Sequence, residues 1–369
     1  MDRRTYLKSS LAMGGALLVP TGIVALAGCS GTASSPELAG FDGSIMGTGY
    51  SVRLGTGSIA THSAKRSLTH SVTEAEANST DELAQAVHAV LQDVDTHMST
   101  WRADSELSLL NDSVDSDWQP MTAATLQVIS QALYTSIASK GAFDVTIGPL
   151  VDLWGFGAGA ESAGARKPAE QAIRQRLAQV GHETIEVDTA THSVRKHNRA
   201  ARLDLSGIAK GHAVDRVADL LDSKGVTNYL VEVGGELRGR GHKPDGSLWK
   251  VAIERPITGR REAFRALQLN DQAIATSGDY RNFFADGGQR YSHSIDPRTG
   301  QPVAHDLASV SVVAGSTITA DALSTAFMVM GPADAMAFAT QHQVAAHFIL
   351  KSGNSLKEVY SPTFEALLG

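Results

Sequence analysis

The chain contains a single cysteine, Cys29, among 369 residues, so no intramolecular disulfide can stabilise its fold. Stability must then come from hydrophobic burial, which requires a chain long enough to enclose a core. About 330 residues follow Gly40, and neither an internal repeat nor a second long linker divides them. The sequence therefore predicts one large or two small cores that are held together by packing alone.

Cys29 also ends a segment with the layout of an export signal. Arg3 and Arg4 precede an apolar stretch at 11–26, and Leu-Ala-Gly leads directly into the cysteine. A basic start, a short apolar stretch and small residues before a cut site are typical of export signals, and the last four residues resemble the bacterial lipobox. The stretch is too short, and too interrupted by Pro20, to span a membrane comfortably.

We therefore predict a lipoprotein signal peptide over residues 1–28, lipidation of Cys29, a polar tether over residues 29–40 and one domain over residues 41–369. The lipid would anchor the protein on the periplasmic or extracytoplasmic face of a membrane in the bacterial cell envelope. An ordinary cleaved signal with an incidental cysteine is the alternative interpretation. The paired arginines fit a twin-arginine signal, which exports folded proteins, and they also occur in ordinary signals.

The charge of the chain argues against one class of partner. The formal net charge is −7 at pH 7, and the first basic residues lie in the predicted signal. A nucleic-acid-binding surface needs clustered Lys and Arg side chains. We therefore expect no nucleic-acid partner.

Hydrophobic residues recur at helical spacing in some segments and follow strand patterns in others. Helices are predicted from about Ser79, over Thr122–Gly141, Pro168–Gly181 and Ala209–Lys224, from about Thr319, and over Pro332–His342. Strands are predicted at Ser44–Leu54, Thr184–Val187, Ser193–Leu205, Tyr229–Gly239, Trp249–Glu254, Arg265–Leu269, Arg290–Ile295, Ser309–Ala314 and Ala345–Leu350. The segment Gly55–Asn78 lacks periodicity and is interpreted as a surface loop or insertion. Hairpin-like strands mixed with helices indicate an α+β domain with mixed or antiparallel sheets and flanking helices.

The segment 202–211 is the first candidate for chemistry, because a predicted strand ends there, Gly207 turns the chain and a helix begins. Free N–H groups at a helix start favour anions, and glycine lets a ligand approach the backbone closely. Asp204 and Lys210 flank this turn. The alternative is a plain helix start, with Ser206 as its N-cap and Lys210 in solvent.

A second candidate is the group Asp321, Ser324 and Thr325. On a helix these residues are three and four positions apart, so their oxygens share one face. One carboxylate with hydroxyls suits a hard cation such as Mg²⁺, which accepts substrate phosphate as a further ligand. Helix capping, or a hydroxyl bonded to the preceding turn, explains the same pattern without a metal.

Two further segments could contact a ligand. His293 precedes a tight turn at 296–300, which would deliver a polar group rigidly, although a strand histidine with satisfied hydrogen bonds fits equally. The segments 46–48, 98–101 and 141–157 place aromatic and sulfur-bearing side chains beside small residues, which suits a flat aromatic ligand. Core packing is the commoner fate of such side chains.

Two other types of site are excluded. The glycines near 234–241 and 155–159 lack the strand–glycine–helix context of a dinucleotide fingerprint. The histidines show no zinc spacing, and the one cysteine is not available as a ligand.

Eight segments, taken in order, resemble the FAD:protein FMN transferases, the ApbE-type flavin transferases. They are Met46–Thr48, Met98–Trp101, Ala142–Leu150, Asp204–Gly211, Val233–Glu236, Ala275–Gly278, His293–Gly300 and Ala320–Ala322. No single segment is decisive, but eight in order are very specific and span nearly the whole predicted mature chain. The resemblance implies a single ApbE-like domain.

The resemblance also implies roles for particular residues. It implies that the FAD site is lined by Met46, Trp101, Ala142, Phe143, Asp144, Asp204, Lys210 and Ile295. It implies that Mg²⁺ is held by the Gly207 carbonyl, Asp321, Ser324 and Thr325. The helical spacing of the last three residues is consistent with that metal role.

The reaction that follows is the transfer of FMN from FAD, as substrate, to a threonine or serine hydroxyl of another protein, with release of AMP. His293 or Asp321 would assist the proton transfer, as would a metal-bound water. By analogy, the acceptors would be exported flavoprotein subunits of membrane redox complexes. Hydrolysis of FAD to FMN and AMP, and flavin binding without turnover, are the alternative functions.

Overall fold

The computed structural model describes residues 38–55, 74–158 and 166–368. The predicted signal peptide, Cys29 and most of the predicted tether lie outside these residues and stay predictions. The first strand begins at Ala39, inside the range predicted for the tether. In the described ranges, no helix combines the length and the apolar character needed to cross a membrane.

The strands of the described ranges are β1 Ala39–Ile45, β2 Thr48–Leu54, β3 Gln119–Pro120, β4 Ile185–Asp188, β5 Ser193–Lys196, β6 Tyr229–Val233, β7 Glu236–Arg240, β8 Trp249–Glu254, β9 Ala263–Leu269, β10 Gln272–Gly278, β11 Phe283–Asp286, β12 Gln289–Ser292, β13 Ile295–Asp296, β14 Gln301–Pro302, β15 Leu307–Ala314, β16 Ala345–Ser352 and β17 Ser355–Tyr360. The centre of the fold is an eight-stranded sheet in which all neighbouring strands are antiparallel, with the order β1-β2-β6-β7-β10-β15-β16-β17. Smaller sheets pair β3-β5-β4, β8-β9, β11-β12 and β13-β14.

Helices flank this sheet, which confirms the predicted α+β class. They are α1 Glu74–Met98, α2 Glu106–Asp112, α3 Ala123–Ala138, α4 Gly148–Leu153, α5 Glu170–Leu177, α6 Ala209–Ser223, α7 Thr317–Met330, α8 Pro332–Gln341 and α9 Pro362–Glu365, with a 3-10 turn at His182–Thr184. Helices α6 and α7 pack against each other, and α7 packs on β10 and β15.

The two faces of the central sheet belong to different cores, because side chains alternate between the faces of a strand. On the face that we call the helical face, Val233, Ala275 and Val312 pack into the largest core, together with α1, α6 and α7. On the opposite face, which we call the hairpin face, Ile274 and Val313 pack against the β8–β9 hairpin. The ends of these strands therefore lie between two separately packed layers.

Helices α6 and α7 are joined by two close polar contacts. The Asp215 carboxylate of α6 accepts hydrogen bonds from the backbone N–H groups of Thr317 and Ile318 at 2.9 and 2.8 Å, and so satisfies the start of α7 from outside the helix. The backbone N–H of Gly211 donates to Asp321 Oδ2 at 2.9 Å. A Cβ on Gly211 would lie 2.4 Å from the Thr317 carbonyl oxygen, so only glycine permits this approach.

A third, smaller core holds the segments 148–157 and 291–300 together. Trp154 is buried, and its indole N–H donates to the Gly300 carbonyl at 2.8 Å. The Trp154 ring also contacts the Tyr291 ring, at a centroid distance of 5.5 Å. This packing fixes the backbone on both sides of His293.

Several predicted elements are wrong in detail. The predicted strands Ser44–Leu54 and Tyr229–Gly239 are each a hairpin, because Met46 and Gly234 take positive φ angles of 54° and 66° that turn the chain. The predicted strand Ser193–Leu205 ends at Lys196. The first helix begins at Glu74, upstream of the predicted capping box, since Glu and Ala favour helix.

One element that matters for function is not predicted. Strand β10 has the sequence Gln-Ala-Ile-Ala-Thr-Ser-Gly, in which only isoleucine and threonine favour strands. It is nevertheless paired with β15 from Ala273 to Gly278. Its conformation is therefore imposed by the sheet.

The described core also contains one buried cation. Lys196 is 1% exposed, and its ammonium donates to the carbonyls of Asn111 and Ala201 at 3.0 and 3.3 Å. Burial, with the nearby charge of Arg202, lowers the pKa of Lys196 to about 8. Folding therefore releases a proton from this side chain at mildly alkaline pH.

This shift predicts a pH dependence of stability. Between about pH 8 and pH 10.4, the unfolded lysine keeps a proton that the folded one has lost, so stability rises with pH. Relative to Lys196→Met, the free energy of unfolding of the wild type should rise by up to roughly 3 kcal/mol across this window. Urea unfolding of both proteins would show it, and parallel pH curves would contradict the assignment.

Candidate functional site

A cavity of about 620 Å³ opens where β7 begins, at Glu236, and β10 continues past it. Its walls come from the start of α6, the middle of α7, the turn between β6 and β7, the β8–β9 hairpin, and the segments 142–157 and 293–297. The residues implied for FAD and metal binding, apart from Met46 and Ser324, line this cavity. The structure thus brings together segments that are far apart in the sequence.

The turn before α6 presents Asp204 and Gly207 to the cavity. Asp204 Oδ1 accepts a hydrogen bond from the Ser206 backbone N–H at 2.8 Å, which shapes the turn. An added Cβ on Gly207 would lie 3.0 Å from Thr325 atoms and 3.3 Å from the Phe143 ring. The helix has no side-chain N-cap, so the alternative role of Ser206 as a cap is not what the structure shows.

Asp321 and Thr325 face the cavity from α7, one helical turn apart. Asp321 is 2% exposed, and Thr325 Oγ1 lies 3.4 Å from the Gly207 carbonyl oxygen. A carboxylate, a hydroxyl and a carbonyl are oxygen donors that suit a hard cation such as Mg²⁺. In the described part of the chain, no group of three or more His, Cys, Asp and Glu side chains is placed to hold a metal ion. The donor set described here is of another kind, because it has one carboxylate and draws its other oxygens from a hydroxyl and a carbonyl.

Ser324 lies behind this group. It is fully buried, and its hydroxyl donates to the Asp321 carbonyl at 3.0 Å. Ser277 of β10 lines the cavity instead, and its Oγ lies 2.9 Å from Ser324 Oγ and 3.4 Å from Thr325 Oγ1. The segment 275–278 is part of the resemblance, but nothing in its sequence gives Ser277 a role, because its neighbours come from another element.

Lys210 forms an ion pair that the sequence does not predict. Its ammonium lies 2.7 Å from Glu236 Oε1 and 3.9 Å from Asp321 Oδ1. Burial alone would lower the pKa of Lys210, but the two carboxylates outweigh it and raise the pKa. Burial also raises the pKa of Asp321, and that of Glu236 to about 7, although Lys210 acts in the opposite direction on both. Lys210 is therefore a fixed cation in the wall of the cavity.

The segment 142–144 combines an apolar wall with an internal hydrogen-bond network. Ala142 and Phe143 are buried at the edge of the cavity. The Asp144 carboxylate accepts from the Thr146 backbone N–H and hydroxyl at 2.8 and 2.6 Å, and from the His182 backbone N–H at 3.0 Å. These bonds show that Asp144 holds the cavity wall in shape.

His293 and Ile295 line the part of the cavity wall that the segment 293–297 forms. His293 Nδ1 lies 3.0 Å from the Asn282 carbonyl oxygen, so Nδ1 carries the proton and Nε2 is left as an acceptor. Burial lowers the pKa of His293, and the charge of Lys210 acts in the same direction. The ring is therefore neutral at neutral pH and able to accept a proton.

Two of the implied FAD residues lie at the margin of the site. The Trp101 side chain lines the cavity and is 72% exposed, which leaves the ring available for stacking. Met46 lies in the β1–β2 turn and packs partly against the largest core. Thr48, just after this turn, lies close to Gly234 of the cavity wall: a Cβ added to Gly234 would lie 3.2 Å from the Thr48 methyl group.

Comparison with known proteins identifies the family of the chain. The ApbE family model matches residues 46–348. A Vibrio cholerae protein named FAD:protein FMN transferase is 37% identical over 95% of this chain and 98% of its own length. A protein of the same name from Haemophilus influenzae is 36% identical over 94% of this chain and 97% of its own length.

Solved structures show the same fold. The flavin transferase ApbE from Vibrio cholerae superposes with a TM-score of 0.77, covering 90% of this chain and 99% of that structure at 37% identity. The apo form of the Pseudomonas stutzeri flavinyl transferase ApbE gives a TM-score of 0.77, covering 90% of this chain and 97% of that structure at 35% identity. With the family model matching most of its length and its fold shared with these structures, the chain belongs to the ApbE family.

Proposed function

We propose that this protein transfers FMN from FAD to a threonine or serine hydroxyl of another protein. The observation that carries the proposal is the meeting of Asp321, Thr325 and the Gly207 carbonyl at the cavity wall, next to the start of α6. An oxygen-rich donor set beside a helix start suits a pyrophosphate with its cation. The relatives named above support the choice of FAD as substrate.

In this reaction the acceptor oxygen bonds to the phosphorus on the FMN side of FAD. The bond between that phosphorus and the oxygen bridging to AMP breaks, and AMP leaves. The hydroxyl proton passes to a base on the protein. The acceptor then carries FMN through a phosphoester bond, so the atoms and charges balance without an oxidant or reductant.

Mg²⁺ would be held by Asp321, Thr325 and the Gly207 carbonyl, and when bound it would neutralise charge on the phosphate oxygens. Lys210 adds a fixed positive charge 3.9 Å from Asp321, on the same wall. Ser324 and Ser277 support the donor set through hydroxyl hydrogen bonds. This chain's own residues would thus orient the pyrophosphate.

His293 is the proposed base. Its Nε2 is the acceptor left by the bond at Nδ1, and its lowered pKa keeps the ring neutral. Asp321 is less suited to this role, because its Oδ2 already accepts the Gly211 N–H. Trp101, Phe143 and Ile295 supply apolar surface for the ring systems of FAD.

The place and the partners of the reaction are also proposals. Lipidation of Cys29 would hold the enzyme at the envelope face of a membrane, where exported flavoprotein subunits of redox complexes present their threonines. Export through the twin-arginine route would let the domain carry FAD out in its folded state. Both ideas rest on the sequence of the N-terminal segment.

The proposed function is tested with the purified protein, FAD, Mg²⁺ and the soluble domain of an exported flavoprotein subunit. Fluorescent flavin on the denatured acceptor, with one AMP released per flavin, is the expected result. AMP and free FMN with a dark acceptor would show hydrolysis instead. Tight FAD binding without AMP under any metal would show a binding protein.

The metal assignment predicts the effect of Asp321→Asn, which keeps the shape of the side chain but removes its charge. Substitution of a residue that only supports a metal ligand typically lowers activity by roughly 10–100-fold. Because Asp321 is itself a proposed ligand, the rate of transfer should fall by more than that. Mn²⁺ affinity, measured by calorimetry, should fall as well. The matched control is Asp219→Asn on the exposed face of α6, which should behave as wild type. Normal metal affinity in Asp321→Asn would refute the assignment.

The base assignment predicts the pH dependence of transfer. Because the pKa of His293 lies below its usual value, the acid limb of kcat should have its midpoint below pH 6.5, where Nε2 takes up a proton. His293→Gln should lower kcat by about 100-fold and remove this acid limb. A pH–rate profile with the same acid limb in His293→Gln would show that another group titrates.

A further inference from the structure

The cavity has two lobes on opposite faces of the central sheet. Residues that pair across neighbouring strands share a face of the sheet. Glu232, Leu237 and Ile274 are such partners and lie on the hairpin face, whereas Glu236 pairs with Val233 on the helical face. Asp321 and Thr325 of α7 line the cavity on the helical face. The lobes meet at the end of the β6–β7 hairpin. We call them the helical lobe and the hairpin lobe.

The residues assigned to FAD leave the hairpin lobe unused. Those that line the cavity, together with the residues assigned to the metal and the base, come from the turn before α6, from α6 and α7, and from the segments 101–144 and 293–295, all around the helical lobe. The hairpin lobe is lined by Leu237, Ile274 and the inner side of β8–β9, including Val251 and Ile253. A lobe that adjoins the proposed phosphate site, and that no residue assigned to FAD lines, is available to a second substrate.

Strand β10 has an open edge where the lobes meet. β7 pairs with β10 only at Gln272–Ile274, and within the described ranges no strand covers that edge from Ala275 to Gly278. An uncovered edge presents backbone N–H and C=O groups that an extended peptide can pair with. Ser277, on this stretch, reaches the group that contains Thr325. A peptide on this edge would thus lie beside the phosphate site.

The hairpin lobe also contains an unpaired acceptor. Glu232 is 6% exposed and lines the cavity, its Oε1 accepts the Gly235 N–H at 2.8 Å, and its Oε2 has no hydrogen-bond partner. A buried carboxylate oxygen without a donor is costly, and burial accordingly raises the pKa of Glu232. A peptide backbone supplies an N–H at every residue except proline.

We propose that the hairpin lobe and the open edge of β10 bind an extended segment of the acceptor protein, with Glu232 Oε2 accepting one of its backbone N–H groups. The segment would enter past β8–β9 and deliver its hydroxyl side chain towards the metal group. This inference rests on the proposed transfer function. It identifies the partner as an extended peptide stretch and places it on the opposite side of the sheet from FAD.

The test measures transfer kinetics and FAD affinity separately, with the soluble flavoprotein domain as acceptor. In Glu232→Gln the amide oxygen keeps the bond to Gly235, but the NH₂ group replaces the free acceptor. The KM for the acceptor should rise about tenfold or more, as expected for the loss of one hydrogen bond to a charged group. The Kd for FAD should stay within about twofold of wild type, because the proposed peptide site and the FAD site lie on opposite sides of the sheet.

A second variant blocks the lobe sterically. Ala263 is exposed at the start of β9 and lines the cavity, so Ala263→Trp fills the entrance without disturbing a packed core. It should also raise the acceptor KM and leave FAD affinity unchanged. Glu82→Gln and Ala89→Trp, on the exposed face of α1, are the matched controls.

The outcomes separate the two proposals. An unchanged acceptor KM in both lobe variants would overturn the acceptor site, and so would an equal loss of FAD affinity, which would place part of FAD in the hairpin lobe. A wild-type protein that releases AMP but never labels the acceptor would instead overturn the transferase function.

Discussion

The site depends on the contact between the first turn of α6 and the first turns of α7. Gly211 lets the two helices approach until its N–H reaches Asp321, and Asp215 closes the start of α7 from the side of α6. The contact buries the Asp321 carboxylate and, through Gly207, brings the turn before α6 within reach of Thr325. Any larger side chain at 211 would collide with the backbone of α7 and separate the groups that face the cavity.

The second constraint is the length of β7. β7 begins beside the middle of β10, so the last residues of β10 have no neighbouring strand on that side. This leaves an opening in the sheet, and residues from both faces of the sheet line the cavity there. A transferase that joins a large nucleotide to a protein must bring two substrates to one phosphorus without overlap. An opening through a sheet would meet this need, because in the arrangement that we propose each face holds one substrate and the phosphate lies between them.

The sequence predicts which residues meet at the cavity better than it predicts the turns and strands that bring them there. Asp321, Thr325, Gly207 and Lys210, which line the cavity, can be found from helical spacing, a turn glycine and family resemblance, all of which are visible along the chain. Ser277 and Glu236 cannot be given roles from the sequence, because their neighbours at the cavity belong to other elements and only folding brings them together. The sequence predicts continuous strands where the hairpins at Met46 and Gly234 lie, since a positive φ at a single residue leaves no periodic signal.

We propose that the α6–α7 contact builds a cation site for the pyrophosphate. Anomalous diffraction from crystals of the protein grown with FAD and Mn²⁺ tests this site. We expect one peak within roughly 2.5 Å of Asp321, the Thr325 hydroxyl and the Gly207 carbonyl, also in contact with the pyrophosphate. A peak bound elsewhere, or FAD bound with its pyrophosphate away from this group, would contradict it.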